Sequence, residues 1–253
     1  MTSTLPSTRR TLRSPHLDHR TAMRLAATEY DRFAAVISSL TAEQWTAPTE
    51  CPDWDVRQLA CHVLGMAAYA ASIREGRRQA AQAHSRGGVY IDALTCIQVQ
   101  ERADYTPERI VHEYGQTAPR AARGRRWTPP FIRARQLPHP QEIDGIDEWW
   151  TIGFVTEVIL TRDVWMHRVD LCRATGQLMR LTPEHDGVLV EDVVTEWAAR
   201  HGKPYTLHLT GRAGGTWSTG SAGETHELDA VEFCRTISGR GTGTGLLSTF
   251  VPF

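Results

Sequence analysis

Lysine is almost missing from this chain. Of its 28 basic residues only Lys203 is a lysine, and the others are arginines. That bias speaks of a GC-rich source genome and not of mechanism. Net charge is nearly missing too, at -1. A dedicated nucleic-acid binder needs a basic face, so that class is set aside. Cysteine is sparse: Cys51, Cys61, Cys96, Cys172 and Cys234 form no CxxC pair and no close ladder. An odd, scattered set excludes a disulfide framework and reads as reduced thiols in a cytoplasmic protein. No window approaches the roughly 18 apolar residues of a membrane helix. Met1–Arg20 carries Arg9, Arg10 and Arg13 without an apolar run behind them, so it is not a signal peptide. What is present is ordinary globular composition, 41 % hydrophobic, enough to bury a sizeable core.

The chain divides by composition into three parts. Residues 1–20, rich in Ser, Thr, Pro and Arg, read as a mobile tail. Residues 21–178 read as all-helical. Met23, Leu25, Ala26, Tyr30, Phe33 and Ile37 recur at helical spacing in a first helix. Thr41 and Gln44 offer a capping box for a short turn around Trp45. Asp55, with Gln58 three positions on, caps a second helix expected to run to about Ala83. Further helices are expected over about Ala93–Ala103 and from Pro107 to about Arg123. The stretch from Arg123 to Pro140 holds Pro129, Pro130, Pro138 and Pro140 and reads as a loop, with Arg123, Arg125 and Arg126 a solvated basic face. One long helix is expected from about Asp147 to Thr175, closed by Gly176. Residues 179–253 change character: a helix over Leu181–His201, strands at Tyr205–Thr210 and Gly215–Thr219, a third near His226, and a helix capped by Asp229. The expected fold is α+β.

Two helices carry candidate chemistry. Asp163 and His167 lie four apart, so both project from one helix face. That is ligand spacing for a metal, although an exposed Asp–His pair, or a histidine satisfied by Asp170, fits the same spacing. His62 lies on a second apolar helix. Two inward imidazoles and a carboxylate, with a water, make the open arrangement of catalytic zinc. Cys61, next to His62, points about 100° away and reads as core. Trp45 and Trp54 read as loop-packing residues.

The segment Leu40–Gly65 resembles the signature of the DinB-like superfamily in its mycothiol-dependent maleylpyruvate isomerase branch. Trp45, Pro48, Thr49, Cys51, Trp54, Val56, Leu59 and His62 carry the first motif. Asp163, His167, Asp170, Leu171, Ala174 and Gly176 carry a second, and the C-terminal stretches Leu207–Gly211, Gly215–Trp217 and Ser238–Gly241 are similar as well. The resemblance implies a metal-binding four-helix bundle followed by a smaller α/β domain. It implies His62, Asp163 and His167 as ligands to zinc or another divalent metal. It implies mycothiol, a thiol of actinobacteria, as cosubstrate, activated as thiolate for addition to a small electrophile, in an isomerase or S-transferase. Arg240 matches a family arginine that would grip a substrate carboxylate; a surface arginine in a Gly-rich loop is the other reading. The family commonly has glutamate at the position of Asp163, one methylene longer. A non-catalytic binding or regulatory protein on the same bundle is the alternative function. Neither nucleic acid nor membrane is an expected partner, and monomer and homodimer both fit.

Overall fold

The computed structural model describes residues 12–253. Four helices form the bundle: α1 (His19–Ser38), α2 (Val56–Ala71), α5 (Pro107–Arg126) and α7 (Leu160–Thr175). Their apolar faces meet in one core that includes Phe33, Leu59, Val63, Ile110, Tyr114, Ala118, Val164 and Leu171. α2 begins where its capping box places it: Asp55 accepts from the Gln58 backbone N–H at 2.7 Å, and Gln58 accepts from Asp55 N–H at 2.9 Å. The second box works as well, with Thr41 and Gln44 bonded reciprocally around the turn that buries Trp45. α3 (Ile73–Arg86) and α4 (Tyr90–Gln100) pack as a side hairpin against α2, and α6 (Pro130–Arg133) is one turn.

Several expectations are corrected. The second helix stops at Ala71. Ser72 turns extended (φ -147°, ψ 121°), and its hydroxyl caps α3 through Glu75 N–H. The long helix begins late, at Leu160, after a π-type turn over Phe154–Ile159. Before it, β3 (Ile146–Trp150) is a strand between β1 (Leu12–Arg13), to which it is parallel, and β2 (Gln141–Ile143), to which it is antiparallel. Pairing with β1, far away in sequence, and with β2 across the Asp144-Gly145 turn overrides the helical spacing of Trp149 and Trp150, while Ile152 is already helical. The same pairing orders part of the expected tail: Leu12–Arg13 is in the sheet and His19 opens α1, while residues 1–11 lie outside the described residues. Arg125 is not on a solvated face. It is buried, donating to Thr156 C=O, to Tyr30 Oη and to the Thr161 hydroxyl.

Beyond α7, a π-type turn over Pro183–Gly187 leads into α8 (Val188–His201). β4 (Tyr205–Thr210) is central in a second sheet, antiparallel to β5 (Gly215–Thr219) and parallel to β6 (Glu224–Asp229). Asp229 caps α9 (Ala230–Arg235) by accepting from Val231 N–H at 2.8 Å. A tight π-type turn through Thr236–Arg240 follows, with Gly239 at φ +86°. Leu207, Leu209, Phe233 and Trp197 share a core with Leu25, Trp165, Met166 and Val169, so α1 and α7 face both halves of the chain. No described helix is long and apolar enough to cross a membrane.

Candidate metal centre

The fold brings His62, Asp163 and His167 together. His62 is in the second turn of α2, Asp163 in the first turn of α7, and His167 one turn further. Both imidazoles are buried. His62 Nε2 lies 3.4 Å and His167 Nε2 3.5 Å from the same oxygen, Asp163 Oδ1. These separations are long for hydrogen bonds. They match ligand atoms sharing one ion: donors about 2.0–2.1 Å from a tetrahedral zinc stand about 3.3–3.4 Å apart. The second oxygen, Asp163 Oδ2, is buried with no hydrogen-bond partner among the described residues. A buried carboxylate oxygen left bare is costly, and a cation satisfies it. The donor set of two imidazoles and one carboxylate suits zinc and leaves a position open. The residues therefore fit a divalent metal. Aspartate, shorter than the family's usual glutamate, still reaches both imidazoles.

The outer nitrogens are held as well. His167 Nδ1 is 3.0 Å from Asp170 Oδ2, and His62 Nδ1 is 2.7 Å from Gln98 Oε1. Such partners orient ligating imidazoles. Asp170 is fully buried. Arg240 donates to both of its oxygens, Nε to Oδ1 and Nη2 to Oδ2, each at 2.8 Å. Arg240 thus sits beside the site, but its two-pronged edge is spent on Asp170. Nη1 remains, 3.5 Å from Ser238 Oγ. Asp170 titrates at about 2: burial raises it, but His167 and Arg240 outweigh burial. Asp163 is likewise held low: burial raises it, but the two imidazoles beside it outweigh burial. Burial lowers His167, but Asp163, Asp170 and Cys51 together lift it well above the usual imidazole range. The pocket is built to hold positive charge.

The loop before α2 closes the site. Trp54 is a lid as well as a packing residue: its ring centroid lies 5.1 Å from that of His62 and 6.2 Å from that of His167. Thr49 fixes its backbone, with Thr49 N–H and hydroxyl both donating to Trp54 C=O. Cys51 on the same loop is 3.8 Å from Asp170 Oδ2. Cys61 faces away, its thiol donating to Arg102 C=O, and burial pushes it up to about 11. Gln98 had no signal in the sequence, since its approach to His62 depends on how α4 packs. Cys51 and Trp54 do stand in the first motif.

The family model of the mycothiol maleylpyruvate isomerase N-terminal domain matches residues 26–172, a span that includes His62, Asp163 and His167. The chain belongs to this family. Among solved structures, a crystal structure of the mycothiol-dependent maleylpyruvate isomerase is 15% identical, with a TM-score of 0.57 over 89% of this chain and 91% of that one. A histidine-to-alanine mutant of that enzyme is 14% identical at the same TM-score and coverage. At such identities the likeness is one of fold, and it extends past the family model into the C-terminal α/β half. No curated protein sequence matches the chain.

Proposed function

We propose that this family member is a thiol-dependent isomerase or S-transferase that holds a divalent metal, zinc, through His62, Asp163 and His167. Mycothiol is the thiol it activates. The observation that carries the reading is the convergence of both Nε2 atoms on Asp163 Oδ1, with the second carboxylate oxygen buried and unpartnered. Metal bound there supplies the charge that keeps a thiol, ordinarily titrating near about 8.5, in its nucleophilic thiolate form.

The chain's own residues do the rest. Trp54 shields the imidazoles from water on the loop side, which strengthens the local electrostatics. Asp170 holds the His167 ring, and Arg240 holds Asp170. Arg240 offers Nη1 to a substrate carboxylate, a single hydrogen bond in place of a two-pronged grip. For an isomerisation, the thiolate sulfur adds to an alkene carbon conjugated to a carbonyl, the former double bond rotates, and elimination of the same thiolate restores the alkene in its other geometry. For S-transfer to an alkene, the adduct takes up a proton and leaves as product; with a chloromethyl electrophile, the thiolate sulfur forms the C–S bond as the C–Cl bond breaks and chloride departs.

The test is direct. Purified, zinc-reconstituted protein is given mycothiol with maleylpyruvate, followed by absorbance, and with monochlorobimane, followed by fluorescence. Turnover above the uncatalysed rate with either electrophile is expected, and His62→Ala and Asp163→Asn should each lose it. Their metal affinity should fall beyond the 10- to 100-fold or so typical of outer-shell changes. His62→Ala protein that retains the same metal content as the parent would sink the ligand assignment. Full metal loading with no turnover of either electrophile would sink the thiol chemistry.

A further inference from the structure

His62 is held from behind by a chain of neutral amides, and that chain has one possible direction. Gln98 of α4 and Gln79 of α3 are both fully buried. Gln79 Nε2 donates to Gly65 C=O at 3.2 Å and to Glu75 Oε1 at 2.9 Å. Both partners can only accept, because Glu75 is ionised: it titrates at about 2, held down first by Arg78, which donates to both its oxygens. A reversed Gln79 amide would set its oxygen against two acceptors. So Gln79 Oε1 faces Gln98, and Gln98 Nε2 must be the donor, to Gln79 Oε1 at 2.8 Å and to Met66 Sδ at 3.0 Å. Gln98 Oε1 is then left facing His62 Nδ1 at 2.7 Å and needs a proton there. The carboxylate at the far end thus decides which nitrogen of His62 carries hydrogen.

The backbone makes room for this chain. Gly65 lies inside α2, one turn after His62. A Cβ at Gly65 would stand 2.6 Å from Gln98 Cβ and Cγ and 3.0 Å from its Cδ. Helix interiors disfavour glycine, so its place here follows from the close approach of Gln98. The break at Ser72 also serves it, by folding α3 back so that Gln79 reaches Gly65 C=O and Gln98.

We propose that Gln98, backed by Gln79, is a positioning residue that holds His62 as its Nδ1-protonated tautomer and so presents the bare Nε2 to Asp163 and His167. The inference deepens the metal reading and rests on it for its purpose, but the tautomer is set by protein groups alone. The two imidazoles are therefore tuned differently: His167 leans on a carboxylate, His62 on a neutral amide.

The experiment reads the tautomer separately from the metal. Long-range ¹H–¹⁵N spectra of the metal-free, ring-labelled protein, at a pH high enough that the His62 ring carries one proton, should show that proton on Nδ1. Gln98→Leu should move the population toward Nε2–H. Zinc affinity from chelator competition should weaken about 10- to 100-fold in Gln98→Leu. A parent protein with the proton on Nε2 overturns the proposal with no variant needed. Gln98→Leu with unchanged tautomer and unchanged zinc affinity overturns it as well. A parent protein with Nδ1–H but no zinc binding keeps the tautomer assignment and overturns the metal reading instead.

Discussion

At the scale of single residues, burial decides which groups can react. Cys61, Cys172 and Cys234 are enclosed, and burial raises all three thiols, Cys61 to about 11. A thiol that stays protonated is a poor nucleophile. Cys51 and Cys96 are the two partly exposed cysteines. Native protein treated with Ellman's reagent should therefore show two accessible thiols, rising to five in denaturant. Cys51→Ala should remove one of the two, and rapid native reaction of all five would contradict the packing. Cys51 borders the site beside Asp170, so loading with metal and thiol should also slow its modification. The three proposed ligands were legible in the sequence, because four-residue spacing and a long motif sufficed. The partners behind them were less so. Asp170 stood in the second motif, but its role was visible only as a competing partner for His167. Gln98, which lies 36 positions from His62, depends on the packing of α4 and gave no local sign.

At the scale of elements, local chemistry was readable wherever it was self-contained. Asp55 and Gln58 close α2's first turn with each other, and the same pair can be read from the string of residues. Asp55→Ala should cost about 0.5–2 kcal/mol, the usual range for a lost cap, measured by urea denaturation. It should also loosen Trp54, its neighbour over the imidazoles, which near-ultraviolet circular dichroism would register. A change near zero would mean the Pro48–Asp55 bridge alone fixes the helix start. The break at Ser72 did have a local sign, since Ser72 and Glu75 stand at capping spacing inside an otherwise uninterrupted alanine-rich run. β3 had a local sign only at its start, where Asp144-Gly145, both at positive φ, turns β2 back onto it; Trp149 and Trp150 suit a helix face, and their pairing with Leu12 and Arg13, over a hundred residues away, has no local mark.

At the scale of the whole molecule, buried arginines join the two halves. Arg162 on α7 is fully enclosed and donates to Asp192 and Glu196 of α8, each at 2.6 Å. Arg168 similarly ties Glu29 of α1 to Asp186. Burial alone would raise Glu196, but Arg162 and Arg200 hold it below the ordinary carboxylate range. A depressed folded pKa means Glu196 stabilises the fold at neutral pH, fully above its unfolded value near about 4.3, and progressively less as pH falls through the lowered one. Arg162→Leu reverses that sign. Of the two buried carboxylates, Glu196 then keeps Arg200, which it shares with Glu148, and Asp192 is left without the cation that Arg162 supplied. Burial disfavours a charged acid that has lost its cation, so acid relieves the penalty. The variant should be about 3–5 kcal/mol less stable near neutrality, the range for breaking a buried pair. That deficit should shrink as pH is lowered from about 7 toward 5, where the unpaired acid takes up its proton. Urea denaturation of parent and variant at both pH values checks this. A deficit independent of pH would mean that lost packing, and not an uncompensated buried charge, is what Arg162 prevents.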